Sequence, residues 1–200
     1  MRFARTLICS MLVVAAAALL ARAADGPKAV VGQPAPTFTL QDQDGKPVSL
    51  SDFAGKIVVL EWVNPNCPFV QRHYAAKTFQ TMDDEYRGKG VVHLAINTTH
   101  DATNAFNKDW ITKNNLTYPI LNDSDGVVGK AYGAKTTPEL YIIGRDGKLL
   151  YMGGIDNDRD GDKGSSKVNY VAKALDEILA GKTVSTPETA SYGCSVKYGS

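Results

Sequence analysis

The sequence predicts one α/β domain in which a central mixed β-sheet is flanked by helices, and three features carry that prediction. Lys56 to Val63 and Val91 to Ile96 are almost continuously apolar, as strands buried on both faces should be. Between them Cys67 to Arg87 reads as a helix closed by Gly88-Lys89-Gly90, giving a strand–helix–strand unit. Two Asp-Gly turns, Gln43-Asp44-Gly45-Lys46 and Arg145-Asp146-Gly147, mark hairpins before and after that unit.

The first hairpin joins Phe38-Thr39-Leu40 to Val48-Ser49-Leu50. Beyond the second buried strand, Asp101 to Asn115 reads as a helix and Asp125 to Tyr132 as a short helix or turn. The second hairpin joins Glu139 to Ile143 with Lys148 to Met152. Lys167 to Ala180 is amphipathic: Val168, Val171, Ala172, Leu175, Ile178 and Leu179 share one face, and Gly181 ends the helix. The domain spans 24–181, opening with a short linker from Ala24 to Lys28. The tail, 182–200, is polar, and the glycine beside its cysteine predicts a mobile segment.

The N-terminus reads as a signal peptide over 1–23. Arg2 and Arg5 precede an apolar run from Leu7 to Leu20, and Ala21-Arg22-Ala23 has the small-x-small form of a cleavage site. The run falls short of the roughly 20 residues of a membrane span. The expected product is exported, periplasmic or extracellular, with no membrane attachment after cleavage. Cleavage removes three arginines and no acid from a chain of net charge +1. The near-neutral remainder has no basic stripe, so nucleic acid is not an expected partner.

Of the three cysteines, Cys9 leaves with the signal, and Cys67 and Cys194 remain. An exported protein sits where disulfides persist, and two cysteines allow one intramolecular pairing. Cys67 lies at a strand-to-helix corner, Glu61-Trp62-Val63-Asn64-Pro65-Asn66-Cys67-Pro68. A helix N-terminus favours thiolate over thiol, and Pro68 suits the first helical position. On a helix, Arg72 and His73 point away from Cys67 and read as solvent-facing or locally paired. Glu61 interrupts its apolar strand, and a buried carboxylate is costly without a role or a partner. His93, in the second apolar strand, reads as structural or surface. Asp156 to Asp162 opens like a calcium loop, but Lys167 occupies the position of the closing acid. A solvated acidic loop is therefore expected, with no metal and no cofactor.

The order of elements, with Thr137-Pro138 before the second hairpin, resembles the thioredoxin fold. Val31-Gly32-Gln33-Pro34-Ala35-Pro36-Thr37-Phe38-Thr39-Leu40 is similar to the opening of the alkyl hydroperoxide reductase/thiol-specific antioxidant (redoxin) family. Asn64 to Val70 and Tyr192 to Tyr198 resemble an exported, peroxiredoxin-like subgroup of it. The resemblance implies an antioxidant, thiol-dependent oxidoreductase with Cys67 as nucleophile and Pro138 in cis against it, after Thr137. It also implies a proton-shuttling role for Glu61. Asn64 stands where the family's peroxidases carry a hydroxyl. Neither Asn64 nor Val70 is a cysteine, so Cys-x-x-Cys exchange within one motif is excluded. Cys194 is left as the candidate resolving partner, with a Cys67–Cys194 disulfide as product.

Three functions are open at this point. The first is peroxide reduction through a Cys67 sulfenic acid resolved by Cys194 and recycled by an external thiol reductant. The second is thiol-disulfide exchange with protein disulfides. The third is a non-enzymatic binding module stapled by the disulfide.

Overall fold

The computed structural model describes residues 28–199; the leader expected over 1–23 lies outside them. Among these residues nine strands run in chain order: β1 (Thr39–Gln41), β2 (Pro47–Ser49), β3 (Ile57–Trp62), β4 (Val91–Asn97), β5 (Ile120–Asn122), β6 (Thr136–Thr137), β7 (Glu139–Ile143), β8 (Leu149–Gly153) and β9 (Cys194–Ser195). Five helices accompany them: α1 (Pro68–Ala75), α2 (Thr78–Arg87), α3 (Asn104–Asn114), α4 (Val127–Tyr132) and α5 (Tyr170–Leu179). Seven strands form one sheet in the order β2-β1-β5-β4-β3-β7-β8, and β6 pairs with β9 alone. β3 and β4 are parallel, as a strand–helix–strand crossover requires, whereas β7 joins β3 antiparallel.

The sheet divides the core. Successive side chains of β3 point to opposite faces. Val59 and Val63 pack with α1, α2 and α5 on one side, and Val58, Leu60 and Trp62 pack with α4 on the other. Both hairpins form as read, and every residue of β3 is buried. No helix among the described residues is long and apolar enough to cross a membrane.

Several elements depart from the sequence reading. The helix expected from Cys67 to Arg87 is two helices, broken where Lys77 takes a left-handed conformation (φ 55°). The reason is phase. Val70 and Tyr74 mark the buried side of α1, and Phe79, Met82 and Tyr86 that of α2. At 100° per residue, Phe79 on a straight helix would lie about 140° away from Tyr74. The break turns both stripes onto one core. The strand β5 was not expected; only three residues long, it sits between β4 and β1. Val168 precedes α5 and is exposed rather than sharing its apolar face.

The tail is packed against the body, in contrast to the mobile segment expected. Val184 and Tyr192 are buried. The Thr189 hydroxyl accepts from the Gly154 N–H and lies 2.6 Å from the Tyr151 hydroxyl. Beyond β9, the Val196 N–H donates to Lys135 O, and the Tyr198 hydroxyl to Ala134 O. Backbone pairing, invisible in composition, holds this polar segment down.

Candidate active site

The site is built on the corner between β3 and α1. Cys67 is the N-cap of α1 with extended backbone (φ −80°, ψ 122°), and Pro68 fills the first helical position without costing a hydrogen bond. Asn64 shapes the loop: its carbonyl accepts from the Cys67 N–H at 2.9 Å, and its Oδ1 accepts from the Asn66 N–H at 2.8 Å. The Asn64 side-chain oxygen is thus engaged within the corner.

Opposite lies the Thr137-Pro138 turn, whose peptide bond is cis. The Cys67 thiol donates to the Thr137 carbonyl at 3.0 Å. The Thr137 hydroxyl is buried without a hydrogen-bond partner in this state, and it stands where it favours a thiolate on Cys67. β9 runs antiparallel to β6 with Cys194 directly across from Thr137. Gly193 permits that approach: its φ is 144°, and a Cβ there would strike the Thr137 carbonyl oxygen. The structure therefore brings Cys67, Thr137, Pro138 and Cys194 together. Both cysteines are free thiols, and Cys67 is only 2% exposed beneath the tail.

The two thiols are perturbed in opposite directions. Burial raises the Cys67 pKa, but Cys194, the Thr137 hydroxyl and the Val70 amide, all placed to donate to a thiolate, outweigh it, and the net displacement is downward from 9.0. Burial raises the Cys194 thiol to about 11, and its neighbour Cys67 adds to the rise. Cys67 is thereby the more readily ionised of the two thiols, and Cys194 the one that holds its proton.

Glu61 belongs to a different cluster. Fully buried on β3, it accepts from the Tyr74 hydroxyl at 3.0 Å and lies 3.1 Å from His93 Nε2, and His93 stacks on Tyr118. Desolvation pushes the Glu61 pKa up, against the opposing pull of His93 and Tyr74. Among the described residues no hydrogen bond links Glu61 to Cys67. His93 is buried against a carboxyl group whose partnership the sequence separation concealed.

His73 does not face solvent, and half-buried Arg72 is bound to a neighbouring loop. The Arg72 guanidinium donates to the carbonyls of Arg159 (2.7 Å) and Asp158 (2.8 Å) and lies over the rings of Phe69 and Tyr192. His73 is buried, with Nε2 3.0 Å from the Tyr192 hydroxyl, which in turn donates to Asp156 Oδ1. That order makes His73 the donor to Tyr192, through Nε2–H. The acidic loop folds inward as well: Asp156 and Asp158 are buried and accept from backbone N–H groups of the loop itself. Sequence reasoning missed Tyr192, His73 and Asp156, whose separations of 119 and 36 residues give no local signal.

Burial pushes the His73 ring down to about 4, with the Asp156 carboxyl opposing and Arg72 adding to the fall. Unfolded chain binds a proton on this imidazole near its reference value of 6.5, folded chain only near 4. Stability is therefore complete above pH 6.5 and falls as the pH drops through that window, by about 3 kcal/mol. Urea unfolding at pH 7 and pH 4 should show this loss in the native protein and not in His73→Gln. Equal losses in both would refute it.

Comparison with known proteins agrees with this architecture. A model of the AhpC/TSA family matches residues 31–152. The thiol-disulfide oxidoreductase ResA of Bacillus thuringiensis subsp. konkukian is 30% identical over 130 residues, covering 62% of this chain and 69% of ResA. A hypothetical protein of Sinorhizobium meliloti superposes with a TM-score of 0.76 at 27% identity, over 86% of this chain and 96% of its own. A thiol:disulfide interchange protein DsbE of Chlorobium tepidum superposes with a TM-score of 0.55 at 25% identity, over 62% and 85% respectively. The fold of this chain is thioredoxin-like. Tyr192 and Cys194 lie beyond the segment that the family model matches.

Proposed function

The chain belongs to the AhpC/TSA family and is a thiol-dependent oxidoreductase, and from that premise we propose that it exchanges disulfides with protein partners through Cys67 and Cys194. The observation that carries this reading is the register of β9. Cys194 stands opposite the residue whose carbonyl receives the Cys67 thiol, and the two pKa values are displaced in opposite directions.

The cycle has two displacements. The Cys67 thiolate attacks one sulfur of a partner disulfide; the new S–S bond forms as the partner's bond breaks, releasing the first partner thiolate. Cys67 is then neutral. Burial still holds the Cys194 pKa up, but the added rise from a charged Cys67 is gone, and Cys194 becomes easier to deprotonate. Its sulfur bonds to Cys67, the mixed disulfide breaks, and the second partner thiolate takes up the proton. The partner is reduced by two electrons, the cysteine pair is oxidised, and an external thiol reductant restores it. Because Cys67 is covered, the tail must shift for a partner to reach it.

Exchange fits better than peroxide reduction, reversing the order the sequence suggested. Asn64 has its oxygen tied to the loop, and the ResA relative is a thiol-disulfide oxidoreductase. Peroxide reduction is the second reading, favoured by the family match. Export rests on the leader pattern over 1–23.

The test uses Cys194→Ser, which stops the cycle after its first step. Mixed with a small disulfide, this variant should accumulate a stable adduct on Cys67, seen by mass spectrometry, with a rate whose pH midpoint lies below 9.0. Hydrogen peroxide at the same concentration should react more slowly. Rapid sulfenic acid formation without disulfide exchange would instead establish the peroxidase. A Cys67–Cys194 disulfide that resists mild reductants in the folded protein would leave only the stapled module.

A further inference from the structure

The segment that delivers Cys194 is held on both sides. On the C-terminal side, β9 pairs with β6, and the His100 N–H donates to Lys197 O. On the N-terminal side, two residues before Cys194, Tyr192 enters a buried cluster that the exchange chemistry does not use. His73 donates to its hydroxyl, and that hydroxyl donates to Asp156. The ring meets Phe69 edge-on at 5.9 Å between centroids and lies beneath the Arg72 guanidinium. Phe69, Arg72 and His73 all belong to α1, the helix that begins at Cys67. Asp156 lies in the loop after β8, and Arg72 binds that same loop through the Asp158 and Arg159 carbonyls. The nucleophile's own helix thus holds the residue that carries its partner cysteine.

This arrangement has more structure than tail docking requires. A buried phenol that must both accept from an imidazole and donate to a carboxyl group has one orientation that satisfies all three. Only Gly193 separates this fixed point from Cys194, and it is pressed against Thr137 O. The reach of Cys194 is thereby restricted to the space beside Cys67. Attack within a molecule gains its speed from such restriction, and a displacement of about 1 Å costs about a hundredfold.

We propose that Tyr192, held by His73 and Asp156, is a positioning residue for the resolving step: it fixes Cys194 for attack on a Cys67 mixed disulfide and plays no part in the first attack. This rests on the exchange reading above. In the step it serves, the Cys194 sulfur bonds to Cys67, the bond from Cys67 to the partner sulfur breaks, and the departing thiolate receives the Cys194 proton. Ionisable groups around the cluster are Arg72 and His73 from α1, Asp156 and Asp158 from the acidic loop, and Lys167 following it.

The experiment follows the reduced full-length protein reacting with an aromatic disulfide whose released thiolate absorbs light. The native protein should release one equivalent as Cys67 is modified and a second as Cys194 closes the ring. In Tyr192→Phe, which keeps the ring and removes the hydroxyl, the second phase should slow by about tenfold to a hundredfold, while the first is unchanged or faster. His73→Gln should behave alike. Tyr198→Phe, which removes a tail hydrogen bond on the far side of Cys194 (2.8 Å to Ala134 O), should leave both phases intact. Circular dichroism establishes that each variant is folded. Should Tyr192→Phe misfold, His73→Gln against Tyr198→Phe decides the question. A second phase within twofold of native in Tyr192→Phe, or an equal slowing in Tyr198→Phe, overturns the positioning role. A native protein with no second phase instead overturns the exchange reading on which it rests.

Discussion

Replacing Cys67 with serine is expected to abolish turnover with a disulfide substrate and to slow the remaining single reaction at least about tenfold at pH 7. The fold should survive, because a serine hydroxyl can still donate to the Thr137 carbonyl as the thiol does. What remains is Cys194, whose thiol stands at about 11, chiefly because burial disfavours its charge. At pH 7 that leaves about one thiolate in ten thousand, whereas a thiol with pKa below 9.0 supplies more than about one in a hundred. The greater intrinsic nucleophilicity of the more basic thiol recovers about tenfold of that hundredfold gap. Loss of Cys67 as a neighbour lowers the Cys194 pKa somewhat, but desolvation persists. Without a second cysteine the reaction ends at a mixed disulfide. Spectrophotometric turnover, with mass analysis of the adduct, checks both parts. Retained turnover would make Cys194 the nucleophile and reverse the roles.

Truncating Glu61 to alanine is expected to cost about 3–5 kcal/mol of folding stability, whereas Glu61→Gln stays within about 1 kcal/mol of the native protein at pH 7 or exceeds it. Alanine leaves the Tyr74 hydroxyl without its acceptor and His93 without its neighbouring carboxyl group in a dry site, together with a cavity. Glutamine keeps an acceptor and sheds the burden of burying a charge. The pH dependence has a definite sign. The Glu61 pKa is raised above 4.5 in the folded protein, so its contribution is full below 4.5 and is lost as pH rises through the folded value. Glu61→Gln should therefore gain on the native protein as the pH increases. Urea unfolding of the three proteins from pH 5 to pH 8 measures it. A glutamine variant as unstable as the alanine variant would show that ionised Glu61 holds the cluster together.

The site was half legible in the sequence. Cys67 could be found because its signal is local: an apolar run, a proline at the first helical position and a thiol between them. Thr137-Pro138 stood out through its place before a hairpin. The break at Lys77 was also present in the sequence, in the mismatched phase of Val70 and Tyr74 against Phe79 and Met82, but a polar surface and good helix formers masked it. Strand β5 is short and takes its identity from the neighbours β4 and β1.

The C-terminal segment resisted reading for a different reason. Its serines, threonines and glycines describe a chain with little apolar surface to bury, which by itself reads as mobile. It is held by backbone pairing with Thr136 and Thr137 and by one buried tyrosine. Residue type does not reveal a backbone hydrogen bond between segments far apart in sequence.

The sequence by itself determined the two central buried strands, the two hairpins, the crossover that delivers Cys67 to a helix N-terminus, and the count of cysteines that makes Cys194 its one intramolecular partner outside the expected leader. These follow from periodicity and turn chemistry, which act within a few residues. The tertiary structure alone decided that Cys194 lies across from Thr137, that Glu61 shares its burial with His93 and two tyrosines, and that Tyr192 is gripped from α1 and the acidic loop. Buried polar groups must find partners once water is removed, and which partners they find depends on segments that only folding brings together.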